Sequence, residues 1–83
     1  IDEQDFSGTV DAPKIYKGDV SININDLALL QLAVVKGDLT ITGTITGEFS
    51  LANIVVEGNL DLSGLDATNL KFKDVEVIGE TIF

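Results

Sequence analysis

The sequence predicts a mostly β fold, a short β-solenoid (a parallel β-helix) of about four turns of 19–21 residues. Three observations predict it. Gly18, Gly37, Gly58 and Gly79 recur at intervals of 19, 21 and 21 residues. Each is followed by Asp19, Asp38, Asn59 or Glu80, and each is preceded at two positions by Tyr16, Val35, Val56 or Val77. An alternating stretch then follows: Val20-Ser21-Ile22-Asn23, Leu39-Thr40-Ile41-Thr42 and Leu60-Asp61-Leu62-Ser63.

Apolar–polar alternation is the period-two signature of a half-buried strand. It points Val20, Leu39 and Leu60 inward as one column and Ile22, Ile41 and Leu62 as another. Ser21, Thr40 and Asp61 then stack on the outer face. The fourth unit stops early, at Thr81-Ile82-Phe83. Glycine suits a corner that needs unusual φ or a close backbone approach, and its Asp or Asn neighbour suits a turn by bonding backbone N–H groups. Gly43 and Gly64, each six residues after a repeat glycine, mark a second corner. A second wall is carried by Leu51 with Phe72 and by Ile54 with Val75, with a one-residue slip in the alternation near Asp74.

The first unit is less regular. Asp26 is placed to cap a short helix over 27–35 that Gly37 would end, an alternative to a strand there. The chain reads as a single domain, 1–83, with an acidic N-terminal segment and cap over 1–15 and repeats over 16–83. Ser7-Gly8-Thr9-Val10 echoes Thr42-Gly43-Thr44-Ile45, as a truncated turn closing the stack would, and residues 1–5 are expected to be loose.

Composition bounds the function. With no Cys there is no disulfide, and with no His a zinc site would have to come from carboxylates alone. Five lysines and no arginine face 14 carboxylates, giving a net charge of −9. That is the reverse of the basic footprint that nucleic acid requires, and anionic membranes repel it. No apolar run reaches the length of a membrane span, the longest being 27–35. The absence of Cys fits a reducing compartment, which favours the cytoplasm.

The segment Val56-Glu57-Gly58-Asn59-Leu60-Asp61-Leu62-Ser63-Gly64-Leu65 resembles the leucine-rich-repeat-like segments of bacterial and phage proteins. Residues 36–47 resemble a turn of bactofilin-type β-helices. The resemblance covers roughly 16–83 and implies a solenoid architecture. It implies no activity, because solenoids host unrelated functions. The Leu-x-x-Leu-x-Leu-x-x-Asn frame of ordinary leucine-rich repeats is missing, so their concave binding face is not expected.

No reactive constellation stands out. Ser63 with Lys71 reads as two exposed strand residues, and Asp61 with Glu57 or Asp66 lacks the cleft that acid–base pairs need. Stacked Asp19, Asp38 and Asn59 would offer oxygen donors to a hard cation, but turn geometry explains them more simply. Thr40, Thr42, Thr44 and Thr46 resemble an ice-binding ladder, which Asp61 interrupts on the neighbouring rung. No cofactor, metal or enzymatic activity is therefore expected.

The carboxylates remain. As a candidate acidic binding surface we take Asp19, Asp38, Glu57, Asp61, Asp66 and Glu76. The functional expectation is a non-enzymatic, acidic protein-binding module, a phage-encoded inhibitor in its narrower form, that engages the basic surface of a nucleic-acid-binding protein without binding nucleic acid or membrane itself. The alternative is a structural or self-assembling module of a filament, fibre or cell-surface protein. The ending Val77-Ile78 … Ile82-Phe83 shows no cap, so a homodimer or other end-to-end self-association is expected there.

Overall fold

The structure is a computed structural model that describes residues 2–25 and 27–83. A one-turn helix, α1 (Glu3–Phe6), precedes β1 (Lys14–Tyr16), β2 (Val20–Ile24), β3 (Leu29–Val35), β4 (Leu39–Val56), β5 (Leu60–Asp61), β6 (Leu65–Val77) and β7 (Thr81–Ile82). Every strand pairing is parallel. The chain winds as a β-solenoid of about three turns, and the partial rungs β1 and β7 at its two ends extend this towards the expected four.

The first wall stacks Val20 on Leu39, Leu60 and Thr81, and Ile22 on Ile41. The second wall stacks Leu30 on Leu51 and Phe72, Ala33 on Ile54 and Val75, and Val35 on Val56 and Val77. Inward residues of the middle rungs are closed off from solvent: Leu39, Ile41, Phe49, Ile54, Val56 and Leu60 are all 0% exposed. The period-two columns read from the sequence are the columns of the core. β4 runs unbroken through both walls and bends at Gly43 and Gly47, whose φ of 117° and 100° only glycine adopts without strain.

A second periodicity is less obvious. Leu32, Asn53 and Asp74 have φ of 57°, 53° and 54° and occupy the same place in three successive turns. Each is a left-handed bulge that resets the phase of the side chains while the register to the neighbouring coil stays unchanged. Inward positions therefore step from Leu30 to Ala33, from Leu51 to Ile54 and from Phe72 to Val75. The slip near Asp74 is this bulge.

The bulge also explains why the sequence offers a helix as an alternative to a strand over 27–35. Residues 29–35 form β3, paired to 50–56, and are not a helix. A three-residue step between apolar positions imitates one helical turn, and pairing with the neighbouring coil decides the outcome. The N-capping role expected of Asp26 lies outside the described residues.

Two further expectations change. Gly43 pairs with Ile24 and Leu65, so Gly64 is not its equivalent. The third turn carries an extra residue in a tight turn at Ser63–Gly64, where the Leu65 N–H donates to the Leu62 carbonyl at 3.0 Å, and the Gly43 N–H reaches the Gly64 carbonyl at 3.2 Å. Of residues 1–5, expected to be loose, Asp2 caps and Glu3–Asp5 enter α1. The Asp2 side chain caps α1 by accepting the Gln4 N–H at 2.8 Å, and Glu3 and Asp5 place negative charge in the first turn.

Phe6 is completely buried and stacks on Tyr16 with ring centroids 5.2 Å apart. The Tyr16 hydroxyl donates to the Phe6 carbonyl at 2.8 Å. Gly8 donates to the Leu32 carbonyl, on the second wall, so its likeness to Gly43 on the first is one of sequence only. A cap over the stack is present, as a helical turn rather than a truncated coil.

Candidate functional site

The most regular polar feature is the corner between the second wall and the first. Asp19 Oδ1 accepts the Asp38 N–H at 2.8 Å, Asp38 Oδ1 accepts the Asn59 N–H at 2.8 Å, and Asn59 Oδ1 accepts the Glu80 N–H at 2.9 Å. Each short side chain thus bonds the backbone of the next coil and not of its own turn, which corrects the local-turn reading. The glycine that precedes each residue donating such an N–H is explained by the same contact. A Cβ at Gly58 would collide with Asp38 Oδ1 and lie 2.7 Å from the Gly37 carbonyl oxygen, and Gly37 and Gly79 stand in the same relation to Asp19 and Asn59. Gly18 begins the column and has nothing within 4 Å of its would-be Cβ.

The six candidate residues do not converge. Asp19, Asp38 and Glu57 line this corner, Asp61 and Asp66 lie along the first wall opposite Thr40 and Thr44, and Glu76 lies on the second wall opposite Val55. Several are engaged within the chain. Asp19 and Asp38 carry the ladder. Glu57 meets Lys36 at 3.3 Å as an exposed ion pair. Asp61 accepts from the Ser63 hydroxyl at 2.7 Å and the Ser63 N–H at 2.9 Å. Those two bonds, the hydroxyl first, hold the Asp61 carboxyl below the usual carboxylate range. Asp66 and Glu76 are exposed. The arrangement is therefore an acidic perimeter around the coils and not a single charged patch.

Other chemistry finds no geometry in support. Among the described residues there is no pocket and no group of three or more acidic side chains placed to hold a metal ion. Among the described residues no helix is long and apolar enough to cross a membrane. The threonine ladder is mixed along the stack: Thr40 lies between Ser21 and Asp61, and Thr42 accepts from the Asn23 amide at 3.1 Å.

The two ends of the stack differ, and only the first of these features escaped sequence reading. The first is the N-terminal closure. Glu3, 7% exposed, accepts the Asn25 N–H at 2.9 Å, Ser7 Oγ accepts the Gln31 N–H at 3.0 Å, and Phe6 lies over the core. Burial, followed by the nearby charge of Asp5, raises the Tyr16 pKa above its ordinary value. The second is the bareness of the opposite end. Phe72, Ile82 and Phe83 are 44%, 39% and 74% exposed, and Phe72 stacks on Phe83 with centroids 6.5 Å apart. The apolar ending of the sequence signalled the second feature. A Phe in an acidic leader was too faint a signal for the first.

No family model, curated protein or solved structure matches the chain.

Proposed function

We propose that this chain is a non-enzymatic protein-binding module whose acidic perimeter engages the basic surface of a protein partner. The supporting observation is electrostatic: a net charge of −9 is carried by a body with 4728 Å² of accessible surface. A rigid scaffold holding exposed carboxylates at fixed spacings steers a cationic partner and disfavours nucleic acid and membranes directly. In its narrower form the module is an inhibitor that occupies a nucleic-acid-binding surface, and the leucine-rich-repeat-like and bactofilin-type resemblance belongs to this proposal as its scaffold.

The alternative reading is a module of a filament, fibre or cell-surface array. The capped N-terminal end favours the discrete module, because α1 lies where a following copy would have to stack for an open-ended filament.

The test is capture of basic nucleic-acid-binding proteins at low and high salt by the wild type and by a Glu57→Lys/Asp66→Lys variant. Capture that is lost at high salt, where charges are screened, and lost in the variant supports the proposal. Capture of nothing, or capture indifferent to both changes, sinks it.

A further inference from the structure

We propose that two copies of this chain pair side by side through the outer face of the second wall, about a two-fold axis that runs parallel to the strands between the coil of Val34 and the coil of Val55. The inference uses the flank of the solenoid and neither of its ends. It goes beyond the proposed function and does not rest on it.

The first observation is an apolar stripe on an outward face. Ile15, Val34 and Val55 stack in register and alternate with the inward Tyr16, Ala33, Val35, Ile54 and Val56. Ile15 is 62% exposed, and Val34 and Val55 are half-buried. The matching outward positions of the first wall are polar: Ser21 and Asn23, Thr40 and Thr42, Asp61 and Ser63. Leu32 widens the stripe. It holds a φ of 57° where the next two coils place Asn53 and Asp74, residue types that adopt this conformation readily, and it is half-buried without packing on the core. A leucine held there against its own preference serves a surface and not the interior.

The second observation is charge. Four of the five lysines lie on this outer face: Lys71 and Lys73 on β6, and Lys17 and Lys36 in the column that follows the stripe into the corner. Glu57, Asp74 and Glu76 share the face with them. A chain of net charge −9 is therefore locally balanced here, and this is where two like-charged copies approach at least cost. The charges are also ordered along the stack. Lys17 and Lys36 flank Ile15 and Val34, whereas Glu57 flanks Val55 and Glu76 continues the stripe beyond it.

That order is self-complementary under the proposed axis. It sets Val34 against the partner's Val55 twice and Lys36 against the partner's Glu57 twice, and it brings the partner's Glu76 opposite Ile15 and beside Lys17. Lys36 already meets Glu57 of its own chain at 3.3 Å, so the four groups alternate in sign. Facing sheets with nearly aligned strands interdigitate their side chains in this way. Other placements fail. Centring the axis on the coil of Val34 opposes Lys36 to its own copy, and centring it on the coil of Val55 opposes Glu57 to its own copy. An axis along the solenoid opposes Glu76 to its own copy. The contact is isologous and uses the same face on both copies, so the assembly stops at two.

Sedimentation velocity over a concentration series tests this with the wild type, Lys36→Glu, Glu57→Lys and the end-face variant Phe72→Ala, each checked for the same far-UV circular dichroism. The wild type is expected to show a monomer–dimer equilibrium. Either charge variant opposes like charges twice in its homodimer and should dissociate more readily by about tenfold or more. An equimolar mixture of the two opposes opposite charges twice and should regain the dimer. Phe72→Ala should associate like the wild type. A wild type that remains monomeric throughout, species that grow beyond two copies, charge variants that associate like the wild type, a mixture that does not regain the dimer, or a dimer lost in Phe72→Ala overturns the proposal.

Discussion

The two ends of the solenoid face the same problem and meet it differently. At the N-terminal end, Val20, Ile22 and Ile24 of the first rung are at most 6% exposed, because Phe6 and α1 lie over them. At the C-terminal end, Phe72 extends the inward column of Leu30 and Leu51 and remains 44% exposed, and Phe83, stacked on it, is 74% exposed. The coils between repeat the same inward columns and corner bonds, apart from the extra residue at Ser63–Gly64 and the register shift between Ile45 and Glu48. The difference shows that the repeat supplies the wall but not its closure. A coil buries its apolar face only against a neighbour, so each terminus needs a separate device. Here the N-terminal end has a helical turn tied down by Glu3, Ser7 and Tyr16, and the last rung leaves Leu70 and Phe72 partly exposed.

Truncation at each end gives the sharpest contrast. Phe6→Ala removes a fully buried ring and opens the covered end, and should cost about 3–5 kcal/mol in denaturant unfolding. Phe72→Ala removes a half-exposed ring and should cost the monomer about 1–2 kcal/mol. Equal losses would mean that the ends are not different in kind.

A smaller effect sharpens the same comparison along the corner column. Gly58→Ala forces a Cβ against Asp38 Oδ1 and the Gly37 carbonyl, and should cost about 1–3 kcal/mol. Gly18→Ala begins the column with open space, and should change stability by less than about 1 kcal/mol, in the stabilising direction. Thermal melts of the two variants check this, and a Gly18→Ala loss as large as that of Gly58→Ala would refute the ladder's account of the glycines.

How much was legible in the sequence follows from how each contact is written. Inward columns such as Ile22/Ile41 are encoded by local alternation, and the Gly-Asp pairs by spacing, so both were readable. The direction of the corner bonds was not, because Asp38 accepts from a residue a full coil later and nothing local distinguishes that from a turn. The bulge at Leu32 hid because leucine rarely adopts positive φ and a three-residue step resembles a helix. The cap hid because Phe6 meets Tyr16 across ten residues of irregular chain. Of the acidic candidates, the residues were readable but their dispersal around the perimeter was not, since it depends on which wall each one occupies.

The most direct test of a solenoid closed at one end and open at the other is residue-resolved amide hydrogen exchange, at a concentration where the chain sediments as a monomer. The account predicts that amides of Leu30–Val35, under the cap, exchange near the rate of global unfolding, while those of Leu70–Val77 exchange fastest among the long strands. Protection of the last rung equal to or greater than that of the first would contradict it.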